Sequence, residues 1–249
     1  MAFRIHDLNR QQLLSIPPPS SGVQFSHILH VPSKYPTINS ALLIAKPDHL
    51  IEISSGIYQE NLLVKEKIHI TGVGEVKIIG KVVLEGNGNL SNLEISELEN
   101  NGNRSLSDCQ ISKSLTIKGS LYGHNLSILC STVVKGQAII RLSSLIPSKS
   151  SFALLAQDSD VLLENSSVLG PLSLEGKSVV HCNQVSIADN TNVDLIEVEE
   201  NSTIQLFNCI VSGGGTIKSG NGTSIRSNLV ALGSAKELIG GENVVVPSV

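Results

Sequence analysis

The side chains able to do chemistry fall mainly in two acidic stretches. "AQDSDVLLEN" from Ala156 sets Asp158, Asp160 and Glu164 close together, and carboxylate oxygens at that spacing suit a hard cation. Adjacent acids also mark solvated turns, and that plainer reading is the one taken, with no metal and no cofactor expected. The second stretch, "ADNTNVDLIEVEENS" from Ala188, carries Asp189, Asp194, Glu197, Glu199 and Glu200. It reads as a longer turn, where a groove for a ligand can be built, so Asp189, Asp194, Glu197 and Glu199 are the candidate binding residues. The seven histidines are dispersed and show neither zinc-ligand nor Ser-His-Asp spacing. Cys109, Cys130, Cys182 and Cys209 lack any CxxC pair and sit in strand-like runs such as "SDCQIS" and "LFNCIV". They read as buried thiols rather than as a disulfide or zinc framework.

The elements that position these groups follow from composition. The 249 residues include no Trp, one Met and 3% aromatics, so the core must be built from Ile, Leu and Val. These side chains suit pleated surfaces, and Gly and Asn at short intervals disfavour long helices. A net charge of -4 with no Lys/Arg cluster lacks the footprint of a nucleic-acid binder. The N-terminus has no uninterrupted apolar h-region, and no window approaches the length of a membrane span. The expectation is a soluble, non-membrane protein without a Sec signal peptide, cytoplasmic or exported by a signal-independent route.

Self-similarity is the strongest signal. "LSNLEIS" from Leu90, "LSDCQIS" from Leu106, "GHNLSIL" from Gly123, "LSSLI" from Leu142 and "LENSSVL" from Leu163 share a short alternating strand led by a small polar residue. "CNQVSI" from Cys182, "LFNCIV" from Leu206 and "RSNLVA" from Arg226 continue it. Aligning third positions puts Asn92, Asp108, Asn125, Ser144, Asn165, Gln184, Asn208 and Asn228 in register, with gaps of 16 to 24 residues. Constant strands joined by turns of varying length point to an all-β fold, a right-handed single-stranded parallel β-helix of roughly nine coils. A two-sheet sandwich would need more hairpin dipeptides than the three Asn-Gly pairs present.

A solenoid exposes its core at each end unless covered. "YPTINSALLIAKPDH" from Tyr35 places Ile38, Ala41, Leu42 and Ala45 on one helical face, predicting a capping helix over about 36–46. Residues 1–24 read as an N-terminal arm, holding the amphipathic "IHDLNRQQLLSI" before a "PPPSSG" breaker, and 25–249 as the β-helix domain.

The run "YPTI", "AL", "AKP", "LIEI", "GIYQENLLV", "ITGVG" over about residues 31–80 resembles the N-terminal part of pectin lyase-like right-handed β-helix proteins. That superfamily includes pectinesterases, polygalacturonases and pectate lyases as well as non-hydrolytic members. Gly56, Tyr58 and Glu60 correspond to a pectinesterase motif that, as the resemblance implies, opens the helix away from the acid pair. They are read as structural, along with Asn92, Asn125, Asn165, Asn208 and Asn228 of the polar column.

In a pectinesterase-like site, two aspartates and an arginine helped by glutamines would activate water or attack, and stabilise an oxyanion. "GQAIIRL" and "AQDSD" look like that family's glutamine segments, which makes Gln137, Arg141, Gln157, Asp158 and Asp160 the candidate catalytic residues. The second aspartate strand is absent, since the corresponding region reads "EGKSVVHCNQVSI", and the later Trp-containing segment has no counterpart. The function expected is non-catalytic recognition or scaffolding, presenting a lateral surface to a protein or polysaccharide. The alternatives are an enzyme of pectinesterase or polysaccharide lyase type, and a structural part of a phage or viral tail. Partner and oligomeric state are left open.

Overall fold

Alternating apolar residues settle into strands that stack one coil above the next. The computed structural model describes residues 25–147, 152–189, 194–199, 201–213 and 216–220. Beyond these it describes only the backbone of strands Ser224–Asn228, Ala231–Leu232, Leu238–Ile239 and Val244–Val245. The expected N-terminal arm, residues 1–24, lies outside the described residues.

The chain opens with β1 (His27–Val31), α1 (Ile38–Leu42), β2 (His49–Tyr58), β3 (Leu62–Val64) and the long β4 (His69–Leu84), which bends around all three faces of the first complete coils. Every strand pairing is parallel, which removes the sandwich alternative, and the result is a right-handed solenoid of about ten turns against the nine expected. The extra turn lies before Leu90, where the corner is made by residues such as Gly56 and Gly74 instead of an Asn-type residue.

Face A stacks β1 on the first halves of β2 and β4, then on 87–91, 103–107, 120–124, 137–141, 160–164, 179–183 and 203–207. Face B follows each face A strand around a tight corner, face C follows a second bend, and a third corner leads back to face A one coil up. Coils vary from 16 residues, Asn87 to Asn103, to 24, Val179 to Thr203. The longest excursions lie between faces B and C, after Leu145 and after Asp189.

Inward positions form continuous columns. On face B, Ile78, Ile95, Ile111, Ile128, Leu145, Val168, Ile187 and Val211 are register neighbours, each nearly inaccessible. Each such side chain contributes about 1.5–3 kcal/mol of burial, so the columns hold the coils together without aromatic residues. Ion pairs stitch the outside: Glu99 on face C lies between Lys81 and Lys118, which hold its carboxyl down at about 2.

Two polar devices close the N-terminal turns. Arg104 points inward on face A and is 1% exposed. Its Nη1 donates to the Ile68 carbonyl, and its Nη2 to those of Val64, Glu66 and Glu85. Burial lowers its pKa to about 10, so the guanidinium stays charged and takes its compensation from carbonyl dipoles. Gly88, its register neighbour, makes room: a Cβ there would stand 2.4 Å from Nη1.

The other device is α1. It is five residues long where 36–46 is expected, because Thr37 is extended and serves as N-cap, with a capping box to Ser40. After Leu43 the chain tightens, with Ile44 bonding to Ala41, before Pro47 removes a donor. Ile38 and Ala41 are fully buried in the core. Glu60, one coil on, accepts from the Ile38 and Asn39 backbone amides and from Asn39 Nδ2, all within 2.9 Å. Replacing Glu60 with alanine is expected to lower stability by about 1–2 kcal/mol, read as a downward shift in melting temperature. A change in ligand binding with an unshifted melting temperature would contradict this structural role.

Candidate functional site

An extended recess in the described surface follows the corner between faces A and B. Its geometry starts from one backbone requirement: a single residue per coil must take left-handed dihedrals to turn the chain sharply. Asn92, Asp108, Asn125, Asn165, Gln184 and Asn208 do so, with φ between 49° and 55°. Asn and Asp tolerate this region because a short polar side chain can bond locally. The seventh member is Leu142, at φ 49°, not Ser144. Register fixes the correction: Ser144 pairs with Ser127 and Ser167, two residues beyond the corner. Asn228 pairs with Phe207 at the end of its face A strand, one position short of the corner, so it too falls outside the column.

Each corner residue from Asn92 to Gln184 donates its backbone N–H to the last face A carbonyl of the next coil, as from Asn125 to Arg141 and from Asn165 to Asn183. Asn125 also donates its side-chain amide to Asp108 at 2.7 Å. The next residue turns inward, and here Cys109, Ser143, Ser166 and Cys209 play one part. Each S–H or O–H donates to the carbonyl two residues before it, at 3.2, 2.7, 2.8 and 3.3 Å respectively. Burial pushes the Cys109 thiol up to about 12 and raises those of Cys182 and Cys209, so these cysteines are structural donors or fillers without nucleophilic character. All four cysteines are buried and free.

One position further, side chains face outward again and form the floor of a groove with the corner residues. It spans nine coils from Ser55 to Asn208, about 38 Å at ~4.8 Å per coil. Glu75, Lys77, Glu94 and Asp108 make its first part charged, with Lys77 and Glu94 paired to each other. From Asn125 on, the lining is uncharged: amides at four of the five corners, with Leu142 at the other, and hydroxyls at Ser127, Ser144, Ser167 and Ser186. No aromatic side chain lines it.

The five candidate catalytic residues separate into three places. Gln137 and Asp160 are register partners at the start of two neighbouring face A strands. Arg141 lies four residues along, about 13 Å from Gln137, and its ion-pair partner is Glu164, with its guanidinium over the Tyr122 ring. Burial raises the pKa of Asp160. Gln157 ends a face C strand and donates to Glu175. Asp158 forms the corner into face A at φ 46° and accepts from the Lys177 amide at 3.0 Å. No pair of carboxylates flanks the arginine.

The acidic candidates are dispersed too. Asp189 is buried at the end of a face B strand, and Asp194 is engaged by Lys218 and Thr216, with Lys218 holding its pKa down. Glu197 faces outward on face C, and Glu199 lies at the corner into face A, in a small depression shared with Asp158 and Lys177. Of the structural candidates, Gly56 sits at a register shift in β2, and the Tyr58 hydroxyl donates to the Ser54 carbonyl.

Two features escaped the sequence reading. The histidines read as dispersed include His27 and His49, whose rings lie 5.5 Å apart, and a buried His69 met edge-on by Phe25. A spacing of one coil between histidines was the available signal. On the outside of face A, Tyr122, Ile139 and Leu162 form a buried apolar cluster separate from the main core. Among the described residues, no group of three or more His, Cys, Asp or Glu is placed to hold a metal ion, and no helix is long and apolar enough to cross a membrane.

No protein-family model matches the chain, and neither a curated protein nor a solved structure is significantly similar to it. The β-helix is therefore established by its own strand register, without support from a relative.

Proposed function

We propose that this protein is a non-catalytic recognition module of pectin lyase-like type that binds an extended, hydroxyl-rich polysaccharide along the groove between faces A and B. The observation carrying this reading is the uncharged part of that groove, from Asn125 to Asn208. Amide and hydroxyl groups recur there at the coil spacing, interrupted by Leu142 at one corner and by Ile210 in the last coil, and so suit a ligand that is itself a repeating chain of donors and acceptors. Trp, Tyr and Arg, the side chains that dominate protein–protein hot spots, are missing from the lining, which favours a glycan over a protein partner. Without aromatic platforms each sugar contributes only hydrogen bonds, so affinity has to accumulate over several coils. The separation of Asp160, Asp158 and Arg141 supports a binding role over an esterase or lyase.

Asn165→Leu tests the reading cleanly, because Leu142 already occupies the equivalent left-handed position. Titration with neutral and acidic polysaccharides is expected to give saturable binding that Asn165→Leu weakens by about 2- to 12-fold, the equivalent of one net hydrogen bond. Release of methanol from methylated pectin, or of unsaturated product from polygalacturonate, would replace this reading with an enzyme.

A further inference from the structure

The groove between faces A and B carries its charge at one end. Its lining holds three carboxylates, those of Glu75, Glu94 and Asp108, and a single ammonium, that of Lys77. Lys77 and Glu94 are register partners and pair with each other, which leaves Glu75 and Asp108 uncompensated. Glu75, Asn92 and Asp108 each stand two residues before a member of the register row Lys77, Glu94 and Gln110, so the two acids lie at corners two coils apart, about 10 Å at the strand spacing. Both are exposed, and among the described residues neither enters an ion pair.

At physiological ionic strength a charge is felt over about 8 Å, so the fields of these two carboxylates overlap across the first coils of the groove. Further along, the lining offers nothing to offset them. Asn165, Gln184, Ser167 and Ser186 are neutral, and Arg141, which ends the face A strand just before the corner at Leu142, is turned to Glu164 and the Tyr122 ring. A carboxylate or sulfate laid along this floor gives up hydration without meeting a cation, and at the charged end it meets its own sign. A hydroxyl or N-acetyl group exchanges one neutral hydrogen bond for another.

We propose that the groove selects its glycan by charge, taking chains of uncharged sugars and rejecting polyuronates and sulfated chains. This selection rests on the polysaccharide reading above and narrows it to one chemical class. Glu75 and Asp108 supply the rejection, and the amide and hydroxyl floor supplies the affinity. An acidic chain seated in the groove carries its own charges past both carboxylates, which near a protein surface weakens binding on the order of tenfold. High salt removes the effect, because at about 1 M a charge is felt over only about 3 Å.

The test measures binding of the full-length protein to three matched pairs, each a single chain type without and with carboxylates: hydroxyethyl-cellulose and carboxymethyl-cellulose, dextran and carboxymethyl-dextran, and methyl-esterified and free polygalacturonate. In whichever pair binds, the uncharged member should be held about tenfold more tightly at low salt, with the ratio approaching one near 1 M salt. Glu75→Gln combined with Asp108→Asn should bring the low-salt ratio down to about 2 or less. This variant keeps the corner, since Asn occupies the same left-handed position at Asn92 and Asn125, and its side-chain oxygen can still accept from the Asn125 amide. Glu85→Gln combined with Glu97→Gln removes the same charge outside the groove and should leave the ratio near tenfold. Two results would overturn the charge selection while leaving the polysaccharide reading in place: an acidic member bound as tightly as its uncharged partner at low salt, or a groove variant that narrows the ratio no more than the control does. Failure of all six polymers to bind would overturn both.

Discussion

Replacing Arg104 with methionine is expected to destabilise the protein by about 3–5 kcal/mol, the range for removing one partner from a buried charged network. The side chain is inside the solenoid, and the carbonyls of Val64, Glu66, Ile68 and Glu85 converge on it. Methionine fills much of the volume but donates nothing, so those carbonyls lose a charge-assisted partner where water has little access. For a chain of this size the loss corresponds to a fall in melting temperature of roughly 6–20 °C. Arg104→Lys should recover only part of it, because an ammonium cannot reproduce the planar fork that reaches two successive turns. Gly88→Ala provides the partner variant, its Cβ falling 2.2 Å from the Ile68 oxygen and 2.4 Å from Nη1. The double variant should be non-additive by at least about 0.5 kcal/mol. Denaturant midpoints of the four proteins measure this, and an Arg104→Met protein as stable as the parent would refute the anchoring role.

The second large effect is expected at Gly119. Gly86, Gly102, Gly119 and Gly136 stack at the corner from face C into face A, and each carbonyl accepts an amide from the next coil, as from Gln137 to Gly119 at 2.9 Å. The coils approach so closely there that a Cβ on Gly102, Gly119 or Gly136 would lie 1.9, 2.1 or 2.2 Å from the carbonyl oxygen of the glycine below. Backbone has to move to admit a methyl group, and the adjoining hydrogen bonds move with it. Gly119→Ala is therefore expected to cost about 2–5 kcal/mol. Gly123→Ala should cost less, since the nearest obstacle is the flexible Leu126 Cδ1, at 2.6 Å. Thermal melts of both variants decide the point: equal losses would mean that the corner yields more easily than its geometry implies.

The solenoid was legible in the sequence because its periodicity is chemical as well as spatial. Left-handed corners select Asn and Asp, and these recur where the chain must turn. The same reasoning misplaced one coil: in "LSSLI" the turn falls on Leu142, a residue type that avoids left-handed backbone, so Ser144 was taken for it. Arg104 was invisible because arginine normally signals solvent, and nothing in "NRSLS" distinguishes a plug from a surface charge. Tyr122, Ile139 and Leu162 were concealed by neighbours, since "SLYGH", "QAIIR" and "DVLLE" read as plain apolar runs in which inside and outside cannot be told apart. The candidate acids misled for a related reason. Residues one coil apart, such as Gln137 and Asp160, become neighbours in any β-helix, so proximity alone says little about shared chemistry.

The strict stacking of glycines, corner residues and inward columns makes each coil an interchangeable unit. Residues 120–136, bounded by Ser120 and the register partner of Ser120, Gln137, form one complete circuit. Excising them would join Gly119 to Gln137 and leave the remaining columns in phase, whereas removing one residue fewer would turn face A side chains inside out beyond the cut. Molecular length is thus quantised: this architecture can grow or shrink by whole circuits, and a single-residue frameshift within a strand is the change that it tolerates least.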